Sequence, residues 1–267
     1  MFEILQYPFF QNALLGVVII SIASALIGTY ITTRRMTFIS GGITHACFGG
    51  LGLGYYLGVS PILSATIFAI ASSLGVEWLS AKRAVRKDSA IAVIWALGMA
   101  VGILFIFMTE GYVPELNSFL FGNVLTITRS DLVLFAVFAA VLIAFYILFM
   151  PLIIACSFDA DFARTRRLPV RFIDYAMIVF VAIAIVLTIR MIGIMLLMSL
   201  LSLPQMTAET LTRRYRSMIL VSIVVSLIGC VGGLFASYWL SVPASATIVI
   251  LLVVIFALSR VVSHLRH

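Results

Sequence analysis

One of three histidines, His45, lies in the uncharged, glycine-rich run Phe38-Ile39-Ser40-Gly41-Gly42-Ile43-Thr44-His45-Ala46-Cys47-Phe48-Gly49-Gly50-Leu51-Gly52-Leu53-Gly54. Neutral imidazole is a common zinc ligand and suits other transition metals. On a helix, Gly41, His45, Gly49 and Gly52 fall at i, i+4, i+8 and i+11, on one face. Two readings of that face stay open. Small residues let helix backbones approach closely in lipid. Alternatively, the missing side chains of Gly41, Gly49 and Gly52 line a narrow polar path beside the imidazole. Met36 and Cys47 are soft neighbours that could assist, but Cys47, two residues on, points away from the His45 face and ranks low as a second ligand.

The other titratable groups narrow the chemistry. Ionisable residues at membrane depth are costly and default to function. Glu77 and Asp174 sit near the cytoplasmic ends of the spans set out below, Asp131 and Arg190 near outer ends, and His264 and His267 in the C-terminal tail. No two carboxylates face each other for aspartyl proteolysis. No serine carries a flanking motif that would make it a nucleophile. A nucleotide-hydrolysing loop ends in Gly-Lys-Ser/Thr, but the two lysines, Lys82 and Lys87, follow Ala81 and Arg86. A secondary carrier usually carries several buried acids or an inverted repeat, and neither is visible. The chain is therefore read as a non-enzyme. Cys156 and Cys230 read as packed thiols, and Met191, Met195 and Met198 as core filling along one face of a short span.

The elements that carry His45 follow from composition. Of 267 residues, 63% are hydrophobic and only 10% charged, far below the quarter or so of a soluble domain. That excludes a soluble enzyme, a disordered chain and a nucleic-acid binder with a basic face. Three widely spaced cysteines exclude a disulfide scaffold. Uncharged runs of about 20 residues cross a bilayer as helices. Two runs of double length divide at Gly58-Val59-Ser60-Pro61 and Ser241-Val242-Pro243. The outcome is an all-α polytopic membrane protein of about nine transmembrane helices, with eight to ten possible. They lie at 11–32, 37–57, 61–80, 89–109, 132–155, 174–189, 191–203, 218–238 and 244–260. The 191–203 segment is short, as a broken or tilted helix would be, and Phe119–Thr128 reads as a re-entrant or interfacial turn. Continuous apolar runs argue against a β-barrel. A single transmembrane domain covers 1–267.

Basic residues are retained on the cytoplasmic side. Nine spans place 15 of them on one side, in the loops around Arg34, Lys82, Arg164 and Arg213 and in the tail, and only Arg129 and Arg190 on the other. The N-terminus is then outside and the C-terminus cytoplasmic, with no cleavable signal peptide expected. The net charge of +7 becomes a topology signal rather than a nucleic-acid footprint.

Several strings, in order, resemble the permease subunits of metal-ion ABC importers, those for zinc, manganese or iron. They are Gln11-Asn12-Ala13-Leu14; Arg35-Met36-Thr37-Phe38 followed by Ile43-Thr44-His45-Ala46; Lys87-Asp88-Ser89-Ala90-Ile91; Leu120-Phe121-Gly122-Asn123-Val124-Leu125 with Asp131; Ser157-Phe158-Asp159 with Ala163 and Leu168-Pro169-Val170; and Leu203-Pro204 with Thr207-Ala208. The resemblance implies a type II ABC importer-like permease in a bacterial inner membrane. Two copies would pair as a homodimer, each docked on a cytoplasmic ATPase subunit, with an extracytoplasmic metal-binding protein delivering the ion. The coupling element falls on Pro204, Gln205, Thr207, Ala208 and Glu209. Arg213, Arg214 and Arg216 either touch the ATPase or anchor topology.

The family commonly places an acidic residue four positions before the histidine; here that position is Gly41. Gln205-Met206 replaces the usual Ala-Ala, and Arg167 stands where glycine is common. Hard ions such as Mn²⁺ favour carboxylate oxygens, so a His-only path leans to zinc over manganese or iron. No permanently bound cofactor is expected, the metal being the transported substrate. A metal-chelate permease and a stand-alone metal carrier are the alternatives.

Overall fold

In hydrocarbon a chain can satisfy its backbone N–H and C=O groups only within itself, so long uncharged runs become long helices. The computed structural model of the protein describes residues 6–81, 86–109, 122 and 124–265, and among them every regular element is helical. In chain order these are α1 (Pro8–Thr33), α2 (Thr37–Leu57), α3 (Pro61–Ala81), α4 (Lys87–Met108), α5 (Arg129–Phe158), α6 (Ala160–Thr165), α7 (Val170–Ile192), α8 (Ile194–Leu200), α9 (Leu203–Leu211), α10 (Tyr215–Leu240) and α11 (Ala244–Leu265). A 3-10 turn, Val124–Thr126, precedes α5. It belongs to the expected Phe119–Thr128 turn, of which residues 119–121 and 123 lie outside the described residues, as do Lys82, Glu110, Glu115 and His267.

Eight described stretches are long and apolar enough to span a bilayer: α1, α3, α4, α5, α7, α10, α11 and the combined Ile194–Leu211 stretch. That is one short of nine, and α2 is the difference. It has 21 residues, but six glycines and His45 dilute its hydropathy. The predicted breaks at Gly58 and Ser241 hold. Gly58 (φ +66) closes α2, and Ser241 (φ +53) closes α10.

Two boundaries move. The charge of Arg190 predicts a helix end at residue 189, yet α7 continues to Ile192. Arg190 Nε lies 3.1 Å from Asp131 Oδ1, so the charge is matched where it stands. The expected 191–203 span is divided at Gly193, whose φ of +80 favours glycine, into the end of α7, the seven-residue α8 and the start of α9. The break resets the helical phase. Met191 is buried, whereas Met195 and Met198 are exposed, so the three methionines do not fill the core together.

Backbone contacts divide the chain into two compact units. One comprises Met1–Arg35, Asn117–Phe158 and Thr188–His267. In it α1 packs against α5, α8, α9 and α10, and α10 against α11. Ala13, Val17, Ile20 and Ile27 of α1 are fully buried. Tyr146 Oη of α5 donates to Leu26 O at 2.6 Å. On α10, Gly229 and Gly233 meet Leu252 and Ile248 of α11, a small-xxx-small contact. The other unit comprises Met36–Leu116 and Asp159–Leu187, and within it α2 packs against both α3 and α4. Cys47, Cys156 and Cys230 are buried, and none forms a disulfide among the described residues.

Candidate functional site

His45 rides on a helix built for close contact. The side chains of Ser40, Thr44 and Cys47 donate to the α2 carbonyls of Thr37, Ser40 and Ile43, at 2.7, 2.5 and 3.0 Å. Polar groups that would be costly in lipid are thereby satisfied inside the helix. The face toward α4 is almost bare backbone. A Cβ on Gly98 would sit 2.5 Å from Ala46 Cα, and one on Gly102 2.5 Å from Phe48 O. Gly98 and Gly102 form the small-xxx-small pair of α4. From α2, Gly42 meets Ile91 and Gly52 meets Gly102, while Gly49 lies against Phe68 of α3 and Gly98 O of α4.

At the edge of this seam His45 is half-exposed and stacks on Trp95 of α4, with ring centroids 4.6 Å apart and planes 3° from parallel. Phe48 flanks it, centroid to centroid 6.2 Å. His45 Nδ1 is buried and has no hydrogen-bond partner. The stack fixes the imidazole plane, and an unpartnered ring nitrogen carries either an unmatched N–H or an available lone pair. The second state suits a passing cation.

Gly41 is buried in α2. Gly49 and Gly52 share their face with α3 and α4, whose atoms fill the room their missing side chains leave. At these two positions the geometry is close helix packing rather than an open path. Cys47 and Met36 are engaged elsewhere, the first with Ile43 O and the second 3.7 Å from Lys87 Nζ. Among the described residues no three His, Cys, Asp or Glu side chains gather closely enough to hold an ion. What the described residues of one chain offer an ion here is a single imidazole, a weak and reversible contact of the kind transport requires.

The predicted coupling residues lie on α9, and most face inward. Pro204, Gln205, Thr207 and Ala208 are buried, while Glu209 and the intervening Met206 are exposed. Gln205 Nε2 donates to Ser24 O and Leu200 O, both at 3.1 Å. Gly28 of α1 makes the room, since a Cβ there would meet the Gln205 amide. The outward face of this segment continues through the exposed Leu211, Arg213, Arg214 and Arg216.

One cluster escaped the sequence analysis as a unit. Asp131 Oδ2 accepts from Thr128 N at 3.2 Å and Thr128 Oγ1 at 2.6 Å, and Asp131 N donates back to Thr128 Oγ1 at 3.2 Å. This reciprocal cap starts α5, and Asp131 Oδ1 holds Arg190. Its signal, Thr-x-x-Asp before an apolar run, is legible in Thr128–Asp131; the partnership with Arg190, 59 residues away, is not.

Eight described stretches long and apolar enough to cross a bilayer make this a polytopic membrane protein. Residues 6–263 match the ABC 3 transport family, and the chain belongs to it, as a metal ABC permease subunit and not an enzyme. An uncharacterised membrane protein of Synechocystis sp. is 36% identical over 97% of this chain and 92% of its own length. The manganese transport system membrane protein MntC of Listeria monocytogenes is 30% identical over 95% of this chain and 90% of its own. Among solved structures, PsaBC from Streptococcus pneumoniae in complex with Fab superposes with a TM-score of 0.83 at 26% identity, covering 95% of this chain and 91% of that one.

Proposed function

We propose that the protein forms the membrane path of an ABC importer for a divalent first-row transition-metal ion, with His45 as the ion's transient contact. The observation that carries this reading is the Trp95-stacked imidazole whose Nδ1 is buried without a partner. Gly41, one helical turn before it, is assigned to the ion's path, and Gly49 and Gly52 serve by letting α2 seat on its neighbours. The whole chain acts as one permease domain. It pairs with a second copy, so that two His45 side chains and water meet the ion better than a closed four-ligand cage, which would not release it. A separate ATPase subunit powers the cycle, docking on the exposed face of Met206, Glu209 and the following arginines. An extracytoplasmic metal-binding protein delivers the ion. The N-terminus is outside and the C-terminus cytoplasmic, in a bacterial inner membrane.

Manganese is the first cargo, supported by the full-length similarity to the Listeria manganese permease. Zinc is the second reading, favoured by Gly41 in place of a carboxylate one helical turn before His45. The test is ATPase stimulation of the reconstituted permease–ATPase–binding-protein complex by Mn²⁺, Zn²⁺ and Fe²⁺ in parallel. The strongest stimulation is expected with Mn²⁺. A stronger response to Zn²⁺ moves the cargo to zinc. No response to any of the three rejects the importer reading in favour of a chelate permease or stand-alone carrier.

A further inference from the structure

The 164–175 segment and the end of α3 enclose a cavity of about 750 Å³ that the transport reading leaves unused. Its charged lining is Glu77, Arg164, Arg167, Arg171 and Asp174, with Tyr175 beside them. One of the two negative charges is matched, and the other is buried. Glu77 Oε2 lies 2.8 Å from Lys87 Nζ, and Asp174 is buried and already partnered. Arg164 reaches Asp161 at 2.7 Å. Arg167 and Arg171 make no ion pair among the described residues.

The backbone adds two observations. Arg167 holds a φ of +59, a left-handed conformation that side chains disfavour and glycine adopts freely. What arginine contributes at such a position is its guanidinium. The cavity also includes the first residues of α7, a 23-residue helix whose N-terminal N–H groups carry the positive end of the helix dipole. Planar guanidinium groups grip phosphate through paired hydrogen bonds. Tyr175, 39% exposed, lines the cavity, which lies at the start of a helix long and apolar enough to span a bilayer. Aromatic rings beside cations are the composition of a membrane interface.

We infer that this cavity binds the headgroup of an anionic phospholipid, Arg167 and Arg171 holding the phosphate and Tyr175 meeting the start of its acyl chains. Basic pockets on the cytoplasmic side of membrane helices recognise acidic headgroups in this way. Inorganic phosphate offers the same charge chemistry; the place of the cavity at the start of a membrane-spanning helix favours the lipid.

The test uses the full chain purified in mixed micelles containing dioleoylphosphatidylglycerol or dioleoylphosphatidylcholine, with retained lipid read by native mass spectrometry. Selective retention of the phosphatidylglycerol is expected. Arg171→Gln should weaken it roughly fivefold, and Arg167→Gly with Arg171→Gln roughly thirtyfold. Arg167→Gly suits the backbone at that turn, so an unchanged melting midpoint in phosphatidylcholine is expected and certifies the fold; Arg171→Gln alone serves if the pair is unstable. The matched control, Arg213→Gln with Arg216→Gln, removes the same charge outside the cavity and should leave retention as in the wild type. Equal retention of both lipids, wild-type retention by the cavity variants, or an equal loss in the control pair would overturn the site. Displacement of the lipid by millimolar inorganic phosphate would overturn its assignment to lipid.

Discussion

Helix α2 meets α4 through glycines, whereas α1 meets its neighbours through hydrogen bonds. The first contact places backbone on backbone at Gly98 and Gly102, with a described side-chain link only at its end, from Lys87 Nζ to Met36 Sδ at 3.7 Å. The second is pinned by side chains reaching across to carbonyls: Tyr146 to Leu26, Gln205 to Ser24, Asn12 to Ile127 at 3.3 Å, and Arg34 to Cys156 at 2.7 Å. Dispersion between smooth surfaces is not directional, while a hydrogen bond to a buried carbonyl fixes register. The glycine seam carries His45, and the pinned unit carries α9 with its exposed Met206 and Glu209. We take the contrast as a division of labour between a close-packed seam and a framework that holds register.

Substitutions can break or sharpen that contrast. The largest effect is expected at the seam. Gly102→Leu drives a side chain into the α2 backbone and should cost about 3 kcal/mol, the upper end for overpacking, seen as loss of a monodisperse folded species in detergent. On the pinned side, Gln205→Ala removes two hydrogen bonds and should lower stability by about 1–3 kcal/mol, measured as a shift in the denaturation midpoint. Asp131→Ala removes the α5 cap at a cost of about 0.5–2 kcal/mol. Arg190→Ala should cost less, about 0–1 kcal/mol, because the Arg190 side chain is 42% exposed and solvent screens the pair. The last effect is of opposite sign, a gain. At Gly75 a new Cβ would meet only Ile94 Cδ1, at 3.7 Å, so Gly75→Ala should stabilise by roughly 0.5–1 kcal/mol through helix propensity alone. Equal outcomes at Gly75 and Gly102 would mean that the glycines of this unit are not distinguished by packing.

Much of the fold is legible in the sequence because lipid imposes so few solutions: charge-free runs, Gly58 and Pro243 place most helices to within a few residues. The errors arise where a long-range partner changes the local rule. Arg190 marks a helix end only until Asp131 is known to sit beside it. Met191, Met195 and Met198 share a face only if Gly193 does not break the helix. The same limit applies to the site. His45 is conspicuous from composition, but its stack on Trp95 joins two helices 50 residues apart. Gly49 and Gly52 look equally suited to a path and to packing until α3 and α4 are in place. Of the expected coupling residues, Pro204, Gln205, Thr207 and Ala208 are buried, which the sequence does not reveal, because a buried glutamine is recognisable only once Gly28 is seen to make room for it.

The central claim is that the imidazole at the edge of the glycine seam handles the ion. Uptake of radiolabelled Mn²⁺, with Zn²⁺ in parallel, by a permease-deficient strain expressing His45→Ala at wild-type level tests it most directly. The expected result is loss of uptake while the variant still copurifies with its ATPase subunit. Uptake at the wild-type rate would contradict the account.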